Sequence, residues 1–165
     1  MTELVVDAKI EIPTGSQNKY EYDEEKGAYV LDRVLYSPMH YPTEYGYIDQ
    51  TLALDGDPLD ILVLTTFPTF PGCIIQSRVI GVLVMSDDKG QDEKLLAVPT
   101  EDPRWNEVKD LSDVPEHILK EIAHFFQVYK DLENKTVTIE GWKDREFAAK
   151  LYEECVERYK NGQNG

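Results

Sequence analysis

The longest β-type segment of the chain lies within residues 73–98, which have the sequence CIIQSRVIGVLVMSDDKGQDEKLLAV. Cys73–Met85 is rich in β-branched residues, which favour strands over helices. Asp88-Lys89-Gly90 is a turn signal, and the run Lys94–Val98 follows it. The segment therefore predicts a long strand that turns back into a second strand.

Shorter β-type runs, with turn signals between them, precede this pair of strands. We expect strands over Leu4–Ile12 and Asp60–Leu64, and a hairpin formed by Lys19–Tyr22 and Tyr29–Tyr36. Phe67–Gly72 contains two prolines and a glycine, so it is predicted to be a loop. Several short strands at this spacing indicate a small antiparallel barrel or sandwich.

The last third of the chain changes to a helical period. Ser112 and Asp113 are N-cap candidates, with Pro115 in the first turn of the helix. A strand is expected over Val137–Trp142, and residues 161–165 are expected to fray after a final helix. Apolar residues at helical spacing define the two helices: Ile118, Ile122, Phe125 and Tyr129 in the first, and Phe147, Leu151, Cys155 and Tyr159 in the second.

Composition limits the classes of function. The 165 residues include 17 Lys and Arg and 32 Asp and Glu, a formal net charge of −15. The length is typical of one domain, residues 1–165. So acidic a surface repels nucleic-acid phosphates and anionic lipids, so we expect neither partner. Cys73 and Cys155 have no metal-site spacing and are expected to be reduced thiols, and the N-terminus does not resemble a signal peptide; a cytoplasmic location is expected.

The most informative segment is Asp55-Gly56-Asp57-Pro58-Leu59-Asp60, three carboxylates between apolar runs. Gly56 and Pro58 bend the chain, so the carboxylates can converge. Close like charges repel by about 4 kcal/mol per pair at an effective dielectric near 20, unless solvent, protons or a cation relieves them. Such hard oxygen ligands suit Mg²⁺, Mn²⁺ or Ca²⁺, although the spacing is not that of an EF-hand loop. An acidic surface turn stays the alternative.

A second acidic cluster flanks the predicted turn of the long hairpin. Asp87 and Asp92 can approach each other across the two strands, and Lys94 shares a face with Asp92. A carboxylate and an ammonium on one face could bind a metal and a phosphate oxygen together. An exposed, charged hairpin tip is the alternative.

Other polar side chains on the predicted strands could recognise phosphate. Arg33 can clamp a phosphate with its planar fork, unless it only forms cross-strand salt bridges. Tyrosines can donate to phosphate oxygens without adding charge, unless they are core or interface aromatics. The candidates are Glu11, Lys19, Glu21 and Arg33, with Tyr41, Tyr45 and Tyr47, and Tyr129-Lys130 at the end of the first helix.

These motifs together closely resemble the family I soluble inorganic pyrophosphatases, in their short bacterial form. The segment Asp55–Ile61 matches the family signature in full, and the resemblance runs from about Glu11 to Trp142. The other matching motifs are Glu11-Ile12-Pro13, Lys19-Tyr20-Glu21, Asp32-Arg33, Tyr41-Pro42 with Tyr45-Gly46-Tyr47, residues 90–99, residues 122–126 and residues 129–133.

The resemblance implies a mainly β (α+β) fold, a five-stranded OB-like β-barrel with two C-terminal helices packed outside. It implies Mg²⁺-dependent hydrolysis of pyrophosphate, with Mn²⁺ as a second possible metal, in a homo-oligomer, by expectation a hexamer. The resemblance also implies a role for each candidate residue. The principal metal pair would be held by Asp55, Asp60 and Asp92, with Asp60 bridging, and further metal would be bound by Asp87 and Glu11. The general base would be Asp57, phosphate would be contacted by Lys19, Arg33, Tyr45, Lys94, Tyr129 and Lys130, and the site would be supported by Glu21 and Tyr41.

Two other functions remain open at this point. A non-catalytic OB-like module could bind divalent cations or a partner, because such barrels often serve in binding. It would have no need of a base such as Asp57. A hydrolase of larger phosphate esters would need a surface on which a base can stack, and the chain has none beyond the tyrosines already assigned.

Overall fold

A computed structural model describes residues 3–163, and this part of the chain contains eight β-strands and two α-helices. The strands are β1 (Val5–Ile12), β2 (Asn18–Asp23), β3 (Ala28–Val34), β4 (Glu44–Tyr47), β5 (Asp60–Val63), β6 (Ile74–Asp87), β7 (Gly90–Pro99) and β8 (Thr138–Asp144). The helices are α1 (Glu116–Val128) and α2 (Arg145–Gln163).

Five of these strands close into a ring. Hydrogen bonding follows the order β1-β4-β5-β7-β6, and β6 pairs with β1 as well. β8 adds to β6 outside the ring, and β2 and β3 form a separate two-stranded sheet. The predicted mainly β class, with a five-stranded barrel and two helices at the C-terminal end, is confirmed.

One pair in the ring differs from the antiparallel barrel that the sequence predicts. β5 and β7 run parallel, whereas the other ring pairs are antiparallel. The cause is the Pro/Gly loop, which carries the chain across to β6 instead of turning it back beside β5. β6 then returns through a hairpin into β7, which therefore runs in the direction of β5. The parallel register aligns Asp60 with Lys94.

Several boundaries also differ from the predicted ones. β4 was not predicted, because it has only four residues and includes a glycine. The helix α1 begins at Glu116, and Pro115 occupies its N-cap position. Asp113 instead accepts backbone hydrogen bonds from Lys109 and Asp110 at 2.9 and 3.0 Å, and it completes the capping box of a separate 3₁₀ turn whose N-cap is Asp110. Helix α2 continues through Gln163 without the predicted fraying, and residues 164 and 165 lie outside the described part.

The central strands are buried on both faces because successive side chains point in opposite directions. On one face, Leu62 and Leu96 pack in a cluster with Phe126 of α1. On the other face, Ile61 and Leu95 belong to a cluster that includes residues of α2. Both predicted helical stripes thus reach the barrel, although Phe147 of the second is 45% exposed.

Neither cysteine is in a disulfide. Cys155 is buried in the α2 cluster and Cys73 is half-buried, so both are free thiols as expected. Over residues 3–163, no helix combines the length and the apolar character needed to cross a membrane.

A substitution at Gly46 tests how closely β4 approaches β1 in the barrel. A Cβ at this position would overlap the backbone carbonyl of Lys9 and lie 2.9 Å from the Cα of Ile10, so β1 and β4 would have to separate. We expect Gly46→Ala to lower the free energy of unfolding by about 3 kcal/mol, as overpacking does. Urea denaturation measures the change.

Gly162→Ala is the matched control. A Cβ there meets no atom within 4 Å, and the residue lies in α2. Its effect should stay within about 0.5–1 kcal/mol and favour the folded state. Equal unfolding midpoints for the two variants would mean that β4 does not approach β1 this closely.

Candidate active site

A cavity of about 550 Å³ gathers polar side chains from strands and loops that are distant in the sequence. The β2–β3 hairpin, the β6–β7 hairpin and the start of β5 all contribute to its lining. Thirteen of the fourteen predicted site residues line it: Glu11, Lys19, Glu21, Arg33, Tyr45, Asp55, Asp57, Asp60, Asp87, Asp92, Lys94, Tyr129 and Lys130. Tyr41, the fourteenth, lies behind the wall of the cavity, 1% exposed.

Lys94 lies between two acids of the cavity. Its Nζ is 2.9 Å from Oδ2 of Asp60 and 3.2 Å from Oδ2 of Asp92, and the whole residue is only 2% exposed. Burial opposes the charged form, but the neighbouring carboxylate of Asp60, together with Tyr45 and Asp92, raises the pKa of Lys94 well above its usual value. The ammonium group therefore stays protonated and partly neutralises the two acids.

Other carboxylates of the cavity are less well compensated. Burial raises the pKa of Glu11 to about 7, and the backbone N–H of Tyr22, at 3.4 Å, offsets only part of that shift. Burial also raises the pKa of Asp92, against the opposing charge of Lys94, and the pKa of Asp55. Added positive charge in this part of the cavity would therefore stabilise the ionised acids.

The acids surround the cavity without forming a compact cage. Within the described ranges, no three metal-ligating side chains come close enough to hold one ion. The expected convergence through Gly56 and Pro58 is thus incomplete: Asp57 is exposed, and its backbone N–H donates to Oδ1 of Asp55 at 3.0 Å. Mutual repulsion and the ammonium of Lys94 between two of the acids account for the spacing. The donor set itself, carboxylate oxygens throughout, fits Mg²⁺ or Mn²⁺.

The hairpin turn is shorter than predicted. Asp87 pairs directly with Gly90, so Asp88 and Lys89 alone form the turn, and both are exposed. Asp92 instead pairs with Met85. Asp87 and Asp92 consequently share a face of the hairpin in diagonal positions, and both line the cavity.

Two basic side chains of the cavity, Arg33 and Lys19, form ion pairs with acids that were not predicted as site residues. Nη1 of Arg33 is 2.6 Å from Oδ2 of Asp32, and its Nε is 3.0 Å from Oε1 of Glu133. Nζ of Lys19 lies 3.6 Å from Oδ2 of Asp32. These contacts orient the Arg33 fork, and the position of Asp32 directly before Arg33 is a signal in the sequence. Glu133 carries no such signal.

Tyr47, one of the candidate tyrosines, also lines the cavity, and eight residues that were not candidates complete the lining: Tyr22, Glu24, Asp32, Asp49, Pro58, Asp88, Lys89 and Lys135. Lys130 lies among cations, and burial together with the charges of Lys94 and Arg33 lowers its pKa. A bound anion would relieve this crowding of positive charge.

Aromatic rings connect the cavity to α1. The ring centroid of Tyr41 is 5.7 Å from that of Tyr45 and 4.9 Å from that of Phe125. Tyr129 stacks on Phe125 at 5.0 Å, and Nζ of Lys94 lies 5.2 Å from the ring centroid of Phe126. The apolar face of α1 thereby supports the polar groups that it places at the cavity.

Residues 49–59, here called the acid loop, carry Asp55 and Asp57. The loop is closed at its base, where Ile48 N–H bonds to the carbonyl of Leu59 at 3.0 Å. The hydroxyl of Thr51 donates to the carbonyl of Ile48 at 2.6 Å and accepts from Leu59 N–H at 2.9 Å. Thr51 is 2% exposed, so these bonds are shielded from water.

Known proteins resemble this chain in sequence and in fold. The family described as "Inorganic pyrophosphatase" matches residues 8–160. The inorganic pyrophosphatase of Geobacillus stearothermophilus is 64% identical over 155 residues, 94% of each chain, and that of Methanosarcina mazei is 54% identical over 160 residues, 96% of this chain and 95% of the other. The crystal structure of the Thermus thermophilus enzyme superimposes with a TM-score of 0.92 at 50% identity, covering 94% and 91% of the two chains. This chain belongs to the inorganic pyrophosphatase family.

Lys94 is the residue whose loss should most disturb the charge balance of the cavity. We expect Lys94→Met, in the presence of chelator at pH 7, to lower the free energy of unfolding by about 3 kcal/mol, because Asp60 and Asp92 lose their cation. The loss should shrink as the pH falls toward about 4, since protonated carboxyl groups need no counter-charge. Urea unfolding across that pH range measures both effects.

Lys89→Met removes the same charge from the exposed turn and should change stability by less than about 0.5 kcal/mol. A Lys94→Met penalty that does not depend on pH would indicate lost packing instead of lost charge compensation.

Proposed function

We propose that this chain hydrolyses inorganic pyrophosphate to two phosphates with Mg²⁺, and that Asp57 is the general base for the attacking water. Membership of the family, at 64% identity to a named inorganic pyrophosphatase, carries the hydrolysis itself. The cavity supports the finer parts, because its lining combines carboxylates, which suit cations, with lysines and an arginine, which suit phosphate.

Family I pyrophosphatases are metal-dependent, and the choice of metal is part of the proposal. Asp55, Asp60 and Asp92 would hold the principal pair of ions, with Asp60 shared, and Asp87 and Glu11 would bind further ions. When bound, the ions would supply positive charge to an otherwise acidic cavity and make hydroxide available near neutral pH. Mg²⁺ is the first choice for all-oxygen ligands, and Mn²⁺ also fits.

The phosphate groups would lie against the basic side chains that line the cavity. Lys19, Arg33, Lys94 and Lys130 would neutralise the polyanion, and the phenols of Tyr45 and Tyr129 would donate hydrogen bonds without adding charge. Arg33 is already aligned by Asp32 and Glu133. Preorganised donors of this kind stabilise the charge that develops on the leaving phosphate. Glu21 would support this shell at the cavity wall, and Tyr41 would support it from behind.

Asp57 would accept the proton of the attacking water. Its side chain is exposed at the cavity, and no salt bridge holds its carboxylate among the described residues. A general base must come within about 3 Å of the proton that it takes. The acid loop holds Asp57 beside Asp55, which would be one of the metal ligands, so Asp57 would lie near a water that the ions activate.

The two other candidate functions are weaker. The non-catalytic cation-binding module is not supported, because the matched relatives are named as enzymes. A hydrolase of larger phosphate esters would need a place for a nucleoside beside the phosphates. Tyr22 and Tyr47 line the cavity, but the ammonium of Lys9 lies over each ring, 5.9 Å from its centroid. The rings are therefore less available for a base to stack on.

Substrate and metal can be tested together. Phosphate release should be rapid with pyrophosphate and Mg²⁺, slower by orders of magnitude with ATP, and lost with chelator. Isothermal calorimetry should show weak pyrophosphate binding to the metal-free protein, because carboxylates then face a polyanion. Tight binding without metal would contradict the assigned role of the acids.

Two aspartates should separate metal binding from proton transfer. Asp60→Asn removes a shared ligand and should lower kcat by about 10²–10³-fold together with Mg²⁺ affinity. Asp57→Asn should lower kcat while Mg²⁺ binding, measured by calorimetry, stays close to that of the unmodified chain. An unchanged pH–rate profile for Asp57→Asn would exclude Asp57 as the base.

A single domain over residues 1–165, a hexamer and a cytoplasmic location complete the proposal. Three apolar side chains on the surface support a subunit contact: Phe67 is 71% exposed, Phe70 63% and Ile74 61%. Such side chains commonly mark surfaces that another subunit covers. Light scattering would give the number of subunits.

A further inference from the structure

The C-terminal helix holds the acid loop at one residue. Both backbone polar groups of Leu52 bond to α2: its N–H donates to the carbonyl of Cys155 at 3.0 Å, and its carbonyl accepts from Nη1 of Arg158 at 2.7 Å. Cys155 and Arg158 are three residues apart, so they lie on one face of the helix. Leu52 is three residues before Asp55, and the clamp therefore acts close to the functional acids.

The conformation of the acid loop needs such support. Gln50 has a φ of 61° and Gly56 a φ of 91°. The left-handed region is unfavourable for a residue with a side chain, and it persists only where surrounding contacts enforce it. Among the residues that the structure describes, the loop's hydrogen bonds to the rest of the protein come through Leu52, apart from those at its base, where Asp49 also pairs with Lys9 at 3.5 Å.

Arg158 also lies where the loop meets the barrel. A cavity of about 230 Å³ separates the loop, β7 and α2, and it is lined by Leu54, Glu93, Cys155 and Arg158, among others. Leu54 precedes Asp55, and Glu93 lies between Asp92 and Lys94 with only 7% of its surface exposed. A displacement of Arg158 would therefore affect both the acid loop and β7, which carry acids of the active site.

We propose that Arg158 is a positioning residue, which holds the acid loop through the Leu52 carbonyl so that Asp55 and Asp57 face the cavity. A guanidinium is suited to this because its rigid fork keeps the donor direction fixed. Without it the Leu52 carbonyl would turn to water and the loop would gain freedom. A displacement of about 1 Å in a reacting group can cost about 10²-fold in rate.

The inference rests on the proposed function, and the matched variants are Arg158→Met and Lys160→Met. Both remove one positive charge from the last turns of α2, but Lys160 is 64% exposed and pairs only with Glu157 among the salt bridges described. Two measurements are made on each variant: hydrogen–deuterium exchange of residues 49–59 without metal or substrate, and pyrophosphate hydrolysis over a range of Mg²⁺ concentrations.

For Arg158→Met we expect faster exchange confined to residues 49–59, a fall in kcat of about 10–100-fold, and a higher Mg²⁺ concentration for half-activation. KM for pyrophosphate at saturating Mg²⁺ should stay within about twofold, because Lys19, Arg33 and Lys130 belong to other segments. Arg158→Lys, which keeps a donor, should recover part of kcat. Lys160→Met should match the unmodified chain throughout.

A purely structural role predicts a different pattern: a lower urea midpoint and less active protein, with unchanged Mg²⁺ half-activation and unchanged exchange of the loop. That pattern would overturn the inference. If Arg158→Met does not fold, the same measurements on Arg158→Lys decide it. Failure of the unmodified chain to hydrolyse pyrophosphate would instead overturn the proposed function, while exchange of the loop would still report on the clamp.

Discussion

The active-site cavity depends on one buried ammonium group between two carboxylates. Lys94 is aligned with Asp60 because β5 and β7 pair in parallel, and it reaches Asp92 two residues earlier on its own strand. Without this cation, acids on neighbouring strands would repel each other by several kcal/mol in a poorly hydrated place. The same group that allows the acids to be buried also lines the cavity in which we propose that phosphate binds. On that proposal, stability and chemistry use the same contact.

The surrounding architecture keeps that contact in register. The central strands are packed on both faces, so neither Asp60 nor Lys94 can shift along its strand without exposing apolar side chains. The aromatic face of α1 lies against Tyr41 and Tyr45, and α2 holds the acid loop from the other side. The two helices thus support the lining of the cavity from behind, although neither contributes a lining residue within its own bounds.

The sequence predicted the elements with a strong period and missed those set by tertiary contacts. The β6–β7 hairpin and both helices follow from β-branched runs and apolar stripes. β4 did not, because Gly46 is required by the close approach of β1 and not by any local pattern. The parallel β5–β7 pair depends on where the Pro/Gly loop delivers the chain, which spacing alone does not reveal.

The same distinction applies to the site. The resemblance to the family placed distant acids and bases together, whereas spacing alone left each cluster with a surface alternative. Neither indicated that Lys94 would lie between Asp60 and Asp92, or that Glu133 would align Arg33. The Lys94–Asp60 and Arg33–Glu133 contacts join residues that are 34 and 100 positions apart in the chain, and a local pattern carries no information on such pairs.

Strand β6 connects the strands of the barrel to one another. It bonds to β7 along one edge, and to β1 and then β8 along the other, so its backbone is paired on both sides over most of its length. Loss of β6 would open the ring and uncover both apolar clusters, because residues of β6 belong to each of them. The parts of the protein around the two apolar clusters should therefore unfold in a single cooperative step, and the amide protons of β6 should be among the last to exchange with solvent.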